Sequence, residues 1–374
     1  MRGRLSAGLM LLLAAAGGAV QAQSTVTMFG LIDAGVEVID HVGANAGHLW
    51  RVPSLTGGFA SRLGFRGSED LGGGLSASFV LELGFAPDQG TLTQGGRTFG
   101  RQALVALGGP YGQFSVGRQY TMLFWSLLDA DILGPNLYGT GSLDVGIPNA
   151  RADNAFAWRG KFGAWSLGAT YSLGRDGVNA GPSPAGSNCA GEDARDASAC
   201  REWSWLLKYD VPGWGVALAD DRLRGRKLGP APDAVYGGLD SSSKSDNRLS
   251  LNGYLDIGDT RVSAGLVRRR NDGDAAKRDS DLWYVGAAYK ATPEFVVDGE
   301  CLTLRYRGVA DFNSTLFALR ATYNFSRRTA VYAQVGHIAN QAHAALAVSA
   351  GAAGGNPVAG GAQSGANMGL RHSF

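Results

Sequence analysis

The chain has 374 residues, with 34 Lys and Arg against 32 Asp and Glu and a formal net charge of +2. Its basic residues run along the whole length, which excludes a nucleic-acid binder with one concentrated positive face. Glycine supplies 57 residues, about twice the usual share, but no Gly-X-Y period exists, so a collagen-like rod is excluded. A mean hydropathy of −0.06 and no run of 18 apolar residues after the N-terminal segment exclude a helical membrane span.

Arg2 and Arg4 precede an unbroken apolar and small-residue run from Leu5 to Gly18, and Val20-Gln21-Ala22 offers small residues at a cleavage site. Residues 1–22 are therefore expected to be a secretory signal peptide, leaving residues 23–374 as one domain. The two arginines of that segment account for the net charge, so the exported chain is expected to be neutral.

Beyond it, alternation organises the sequence. Val26, Met28, Ile32, Val36 and Val38 alternate with Thr27, Phe29, Leu31, Asp33 and Glu37. In "ASRLGFRGSEDLGGG", from Ala60 to Gly74, Arg62 and Arg66 are threaded among Leu63 and Phe65. Further along, Trp203, Trp205, Leu207 and Tyr209 alternate with Ser204, Leu206, Lys208 and Asp210. Leu249, Leu251, Leu255 and Ile257 alternate with Arg248, Ser250, Asn252, Tyr254 and Asp256, and Asn313 to Phe325 repeats the pattern. Each is a strand with one apolar and one wetter face. The last segment, "GANMGLRHSF", carries Met368 and Leu370 at alternate positions and ends on Phe374.

The links alternate in length. Short ones are expected at Glu69–Gly73, Gly108–Gly112, Gly160–Gly163, Pro212–Gly213, Gly258–Asp259, Thr292–Pro293 and Ser326–Arg328. Long polar or glycine-rich ones are expected near 41–57, 87–96, 119–150, 174–202, 225–246, 271–280, 307–312 and 343–362. Together they separate sixteen candidate strands, each with room for the roughly 9–11 residues that cross a bilayer obliquely. A soluble sandwich shares the alternation but predicts neither strict short-long links nor aromatics gathered near strand ends. Trp158, Trp165, Trp203, Trp214, Trp283, Tyr323 and Phe325 fit a girdle at a lipid–water boundary. An arginine on the lipid face near midplane costs about 2–4 kcal/mol, so with Leu63 and Phe65 in lipid, Arg62 and Arg66 face a wet lumen. A barrel this wide is not filled by its own side chains.

Cys189 and Cys200 bracket the polar stretch "NCAGEDARDASAC". In an exported chain the simplest reading is a loop disulfide; the rival, a metal site, has only two cysteines and no neighbouring histidine. Cys301 is left over as a small strand residue.

The segments "VTMFGLIDAGVE", "SRLGFRGSEDLGGGLSASFVLELGF", "RQALVAL", "GQFSVGRQYT", "RADNAFAW" and "GLRHSF", in that order, resemble the general diffusion porins of the Gram-negative outer membrane, of the beta-proteobacterial kind. The resemblance covers essentially the whole exported chain. It implies an all-β, 16-stranded antiparallel transmembrane β-barrel with short periplasmic turns and long outer loops, assembled as a homotrimer. It also implies that the third long loop, about Met122 to Asn149, folds into the pore. On the wall, Arg62, Arg101 and Arg151 match the lumenal arginines that face acids of that loop, here Asp131 with Asp129 beside it. Glu82 matches a lumenal acid of the third strand. Arg66, Arg118, Asp33 and Glu37 are further lumenal candidates, and Phe374 matches the terminal assembly signal. Arg66 has the alternative of pairing with Glu69 or Asp70, and Arg118 that of anchoring the loop base. The sequence departs from the pattern at Pro135 and Asn136, where many relatives carry a loop acid, and at the apolar "MLFW".

The expected function is a water-filled outer-membrane channel for ions and small hydrophilic solutes, without cofactor, metal or nucleic acid. Unpaired wall arginines facing few loop acids favour anions, while Asp33, Glu37 and Glu82 weaken that preference. A channel specific for a sugar or organic anion is the alternative, with Phe124, Trp125 and Tyr138 as stacking faces rather than loop packing. An adhesion role for the long loops has no motif to identify a partner. An enzyme needs a base near its nucleophile, and the five histidines (His41, His48, His337, His343 and His372) form no such arrangement.

Overall fold

Period-two alternation is realised as strand pairing along nearly the whole chain. The computed structural model describes residues 25–55, 57–178, 188–190, 192–227, 238–350 and 354–374; the expected signal peptide lies outside the described residues. The strands of the first half are β1 (Thr25–Val42), β2 (Gly47–Arg51), β3 (Arg62–Gly72), β4 (Leu75–Gly84), β5 (Gln102–Gly109), β6 (Gly112–Tyr120), β7 (Arg151–Phe162) and β8 (Trp165–Ser172). Two short strands, β9 (Asp176–Val178) and β10 (Asn188–Ala190), pair only with each other. The second half comprises β11 (Glu202–Val211), β12 (Trp214–Arg224), β13 (Ser245–Ile257), β14 (Thr260–Asn271), β15 (Asp279–Lys290), β16 (Phe295–Tyr306), β17 (Ser314–Asn324), β18 (Thr329–Asn340) and β19 (Gln363–Ser373). Helices α1 (Met122–Leu127) and α2 (Thr140–Leu143) lie between β6 and β7.

Every wall strand pairs antiparallel with its sequence neighbour, and β1 closes the ring by pairing with β3 on one side and β19 on the other. β2 is a short flap on the upper part of β1. Leaving out β2, β9 and β10, the wall is a closed barrel of 16 strands, the architecture that removes every sheet edge from the membrane. Closure is sealed where Gly30 and Phe374 exchange backbone hydrogen bonds of 3.0 and 3.1 Å. The Phe374 ring covers the bare backbone of Gly30, where a Cβ would lie 2.3 Å from it.

The seven short links and eight long ones fall where alternation places them, with two shifts. At Gly160–Gly163 the expected turn moves onto Gly163 and Ala164, because β7 continues to Phe162 while Gly160 and Lys161 pair with Leu167 and Ser166. The expected turn at Glu69–Gly73 moves onto Gly73 and Gly74, because β3 continues to Gly72 while Glu69 and Asp70 pair with Ala77 and Ser76. Gly72, Gly73 and Gly74 all take positive φ, which glycine alone adopts without strain, and so they carry the reversal.

Outward positions are apolar and exposed, as in Leu251, Val285, Phe317 and Val335. Near the short turns the outward aromatics touch one another: Trp165 and Tyr209 at 4.8 Å, Tyr209 and Trp214 at 5.3 Å, Tyr323 and Phe325 at 5.2 Å between ring centres. On β13 the apolar outward positions run from Ile257 to Leu249, about 27 Å of strand at ~3.4 Å per residue. Tilted about 40°, that is roughly 20 Å of height, close to the apolar band of an outer-membrane barrel. Outside the wall, Cys189 and Cys200 are joined by a disulfide with Cα atoms 5.6 Å apart.

Candidate pore constriction

The segment between β6 and β7 packs on the inner face of the wall. Its entrance is fixed by the Thr121 hydroxyl, which donates to Asp221 (2.6 Å), and by the Met122 N–H, which donates to Ser204 (2.9 Å). The apolar "MLFW", a departure in the sequence, explains itself here. Leu123 and Leu127 join Leu137, Tyr138, Leu143 and Ile147 in one buried cluster with inward-facing Val267, Leu282, Leu302, Leu316 and Ile338. Tyr138 lies against Gly336 and Gly365; a Cβ at Gly365 would sit 2.5 Å from the Tyr138 hydroxyl oxygen. Only a wall without side chains there admits the ring.

The far part of the segment is held by charge. Arg248 on β13 donates Nε and Nη2 to the two oxygens of Asp144 at 2.8 and 2.9 Å, and both side chains are buried. Burial alone would raise the Asp144 carboxyl, but the Arg248 guanidinium overrides it and holds the group down to about 2. Arg248 also pairs with Asp246, which in turn binds Arg269 at 2.6 Å.

Opposite this anchorage, β3, β4, the residue just before β5, and β7 bring Arg62, Glu82, Arg101 and Arg151 together. Glu82 accepts from Arg101 Nε at 2.8 Å and Gln102 Nε2 at 2.7 Å, and lies 3.4 Å from Arg62. Arg101 Nη2 and Arg151 Nη2 both donate to the Tyr120 hydroxyl, at 2.7 and 3.2 Å, and the Arg151 guanidinium lies over the Tyr120 ring. That ring stacks on Phe124 with centres 3.8 Å apart. Three guanidinium groups thus share one carboxylate and one phenol. They line a cavity of about 330 Å³ together with Phe59, Asp131 and Arg320.

The other candidates have other partners. The expectation of unpaired wall arginines is corrected for Arg62 and Arg101, which are neutralised in part by Glu82 from the adjacent strand. Asp131 borders the cavity, but its carboxylate is turned into its own segment, accepting from Gly134 N at 2.9 Å and Thr140 Oγ1 at 2.7 Å. Burial outweighs those bonds and pushes it up to about 6. Asp129 lies apart, bound by Lys208 at 2.5 Å. Arg118 grips Asp153 and the Gly100 carbonyl, an anchor for the neighbouring long link rather than a lumenal charge. Asp33 accepts from Tyr332 Oη (2.6 Å) and Phe59 N (2.9 Å), and Glu37 from Arg51 (2.6 Å); both carboxylates hold inward-folded links. Arg66 lies over the Phe29 ring and forms no ion pair with the acids of its own strand. Glu69 points to the opposite face, and Asp70 is about 13 Å up the strand. Phe124 and Trp125 pack against Tyr120 and each other, which is loop packing.

Sequence reasoning missed Tyr120, Lys208, Arg248 and Arg320. Alternation had already put Arg248 and Lys208 on the wetter face of their strands, so face membership was the available signal. Tyr120 ends β6 immediately before the inserted segment and carried no such mark. Arg320 holds Asp298 with two bonds of 2.9 Å beside the cavity. The described residues contain no group of three or more metal-ligating side chains.

A model of the Gram-negative porin family matches residues 8–343. The outer membrane porin protein 32 of Delftia acidovorans is 27% identical over 96% of this chain and 97% of its own. Among solved structures, an anion-selective porin from Comamonas acidovorans superposes with a TM-score of 0.73 at 20% identity, covering 94% of this chain and 100% of that one. The trimer form of an outer membrane protein of Vibrio cholerae gives 0.64 at 15% identity, over 94% and 99% of the two chains.

Proposed function

The chain belongs to the Gram-negative porin family of the outer membrane, and on that premise we propose that it is a homotrimeric, water-filled channel that favours small anions. One observation carries the preference: Arg62, Arg101 and Arg151 converge on the cavity beside the inserted segment, where Arg62 and Arg101 share the single carboxylate of Glu82. The two loop acids that could balance them are engaged elsewhere, Asp129 by Lys208 and Asp131 within its own segment. A charged lining in a narrow, poorly screened passage raises the local concentration of the opposite ion. Here that is the anion. The likeness to an anion-selective porin agrees with this sign, and the trimer form among the similar structures supports the assembly.

The role of the inserted segment is to narrow the lumen and exclude water from one side of the passage. Its apolar cluster replaces solvent against β14–β18, so solutes are left the arginine side. Residues 1–22 act as the export signal. The test is a planar bilayer containing the refolded residues 23–374 under a salt gradient. Conductance steps in threes with a reversal potential of anionic sign are expected; cation preference would overturn the selectivity, and absence of steps from correctly folded protein the open channel.

A further inference from the structure

The seam of the ring carries a second basic cavity beside the constriction. Where β1 closes on β3 and β19, Leu31 pairs with Arg62 on one side and Ser373 on the other, and Ser373 N donates to the Arg328 carbonyl at 2.8 Å. Arg62, Arg328 and Arg371 thereby reach one pocket of about 270 Å³ at the turn 326–328, with Arg327 and Leu31 also on its wall. Short turns lie at the periplasmic end, so this pocket belongs to the inner mouth of the channel. It adjoins the constriction cavity, since Phe59 and Arg62 line both.

Phe59 is fixed there by its own link. Gly57 N donates to Tyr332 Oη (3.1 Å), Arg320 Nη1 donates to the Gly57 carbonyl (2.9 Å), and Asp33 accepts from Phe59 N (2.9 Å). A Cβ at Gly58 would lie 2.5 Å from that Asp33 carboxylate, so bare backbone permits the close approach. Phe59 nevertheless stays 45% exposed, with the Arg371 guanidinium 5.0 Å and the Arg62 guanidinium 5.9 Å from its ring centre. A guanidinium over a ring engages its flat face and keeps its N–H edge for an anion. No acidic side chain lines the pocket, and among the described residues Arg327, Arg328 and Arg371 form no ion pair. Asp33, beside Arg371 across β1 and β19, has its carboxylate on Tyr332 Oη and Phe59 N.

Guanidinium edges without an acid among them, set around an exposed phenyl ring, suit a solute that combines a negative group with a flat apolar body. We propose that this pocket is a binding subsite for small aromatic carboxylates, with the carboxylate on Arg371 and Arg328 and the ring against Phe59. Guanidinium forks match carboxylate oxygens in pairs. The pocket is smaller than the roughly 300–1,000 Å³ that drug-sized ligands occupy, which suits a single-ring acid. A chloride or phosphate ion gains only the attraction of the charges there, whereas an aromatic acid also gains the ring contact. The inference rests on the proposed anion channel for delivery of the solute and not for its binding.

The test uses the refolded residues 23–374 in detergent micelles, with empty micelles as the blank. Saturation-transfer NMR titrations compare benzoate with cyclohexanecarboxylate, which has the same charge and nearly the same size but no aromatic face. Wild type is expected to bind benzoate about fivefold more tightly. R328Q/R371Q is expected to weaken both acids by about tenfold, and F59L to erase the difference between them. Equal affinities for the two acids in wild type overturn the aromatic assignment. Unchanged benzoate affinity in R328Q/R371Q overturns the site, because binding would then belong to the constriction, and an equal loss in R268Q/R270Q, two exposed arginines of β14, overturns it as non-specific attraction. The zero-current potential of the same protein in a planar bilayer keeps the two readings apart. A cation-preferring channel whose benzoate binding still depends on Arg328 and Arg371 refutes the ion preference and supports the subsite. An anion-preferring one without that dependence refutes the subsite alone.

Discussion

Replacing Glu82 by Gln removes one negative charge from the arginine cluster while keeping its shape. Glu82 sits 2.8 Å behind Arg101 and 3.4 Å from Arg62. An ion in contact with those guanidinium groups therefore passes roughly 7 Å from the carboxylate, where a unit charge is worth about 0.6 kcal/mol in water. The anion gains that amount and the cation loses it, so the permeability ratio shifts by about sevenfold. Screening at 0.1 M salt, with a Debye length of about 10 Å, lowers this to about threefold. R62Q removes a lumenal positive charge and is expected to move the ratio by a similar factor in the other direction. The assay is the zero-current potential across a planar bilayer under a tenfold salt gradient, repeated at high salt, where both effects shrink. Equal reversal potentials for wild type, E82Q and R62Q at low salt would refute the reasoning, because the cluster would then lie off the ion path.

Y120F leaves Arg101 and Arg151 without their shared acceptor. The cost is about 1–3 kcal/mol, and a broader distribution of single-channel conductance is expected with little change in selectivity. D144N breaks a buried charge pair with Arg248; the loss is about 3 kcal/mol, at the low end for such pairs because Asp246 still holds the guanidinium. Hydrogen exchange over residues 139–148 should accelerate on the order of a hundredfold, and an unchanged rate would dismiss this anchor. Asp144 and Asp131 of the inserted segment respond oppositely to pH. Asp144, lowered to about 2, stabilises the inserted segment above its unfolded value near 4 and loses that contribution as pH falls from 4 to 2. Asp131, raised to about 6, favours the folded segment fully below 4 and loses roughly 3 kcal/mol as pH rises through 6. Protection factors around residues 130–140, taken relative to the intrinsic base-catalysed exchange rate at each pH, should therefore be higher at pH 4.5 than at 7.5 in wild type, and that difference should shrink in D131N.

Strand faces were legible because a side-chain period of two is a local property, fixed by backbone geometry before any long-range contact forms. Leu249 and Arg248 fall on opposite faces whatever surrounds them, and lipid on one side forces the charges to the other. The alternating link lengths added the strand count and the up-down order, and the two displaced turns settled at the ends of their expected ranges, onto Gly73–Gly74 and Gly163–Ala164. The pairing of lumenal charges was another matter. Asp144 meets Arg248 across 104 positions of sequence, and Asp129 meets Lys208 across 79. Those encounters depend on the closed ring and on the path of a loop anchored by apolar packing, which no periodicity encodes. Position along the chain marked Asp131 as a lumenal acid, yet the fold of the loop turned its carboxylate inward to Thr140. The sequence by itself determined which side chains are wet. Only the closed barrel decided which wet charges meet, because opposition across a lumen is set by ring closure and loop path rather than by neighbouring residues.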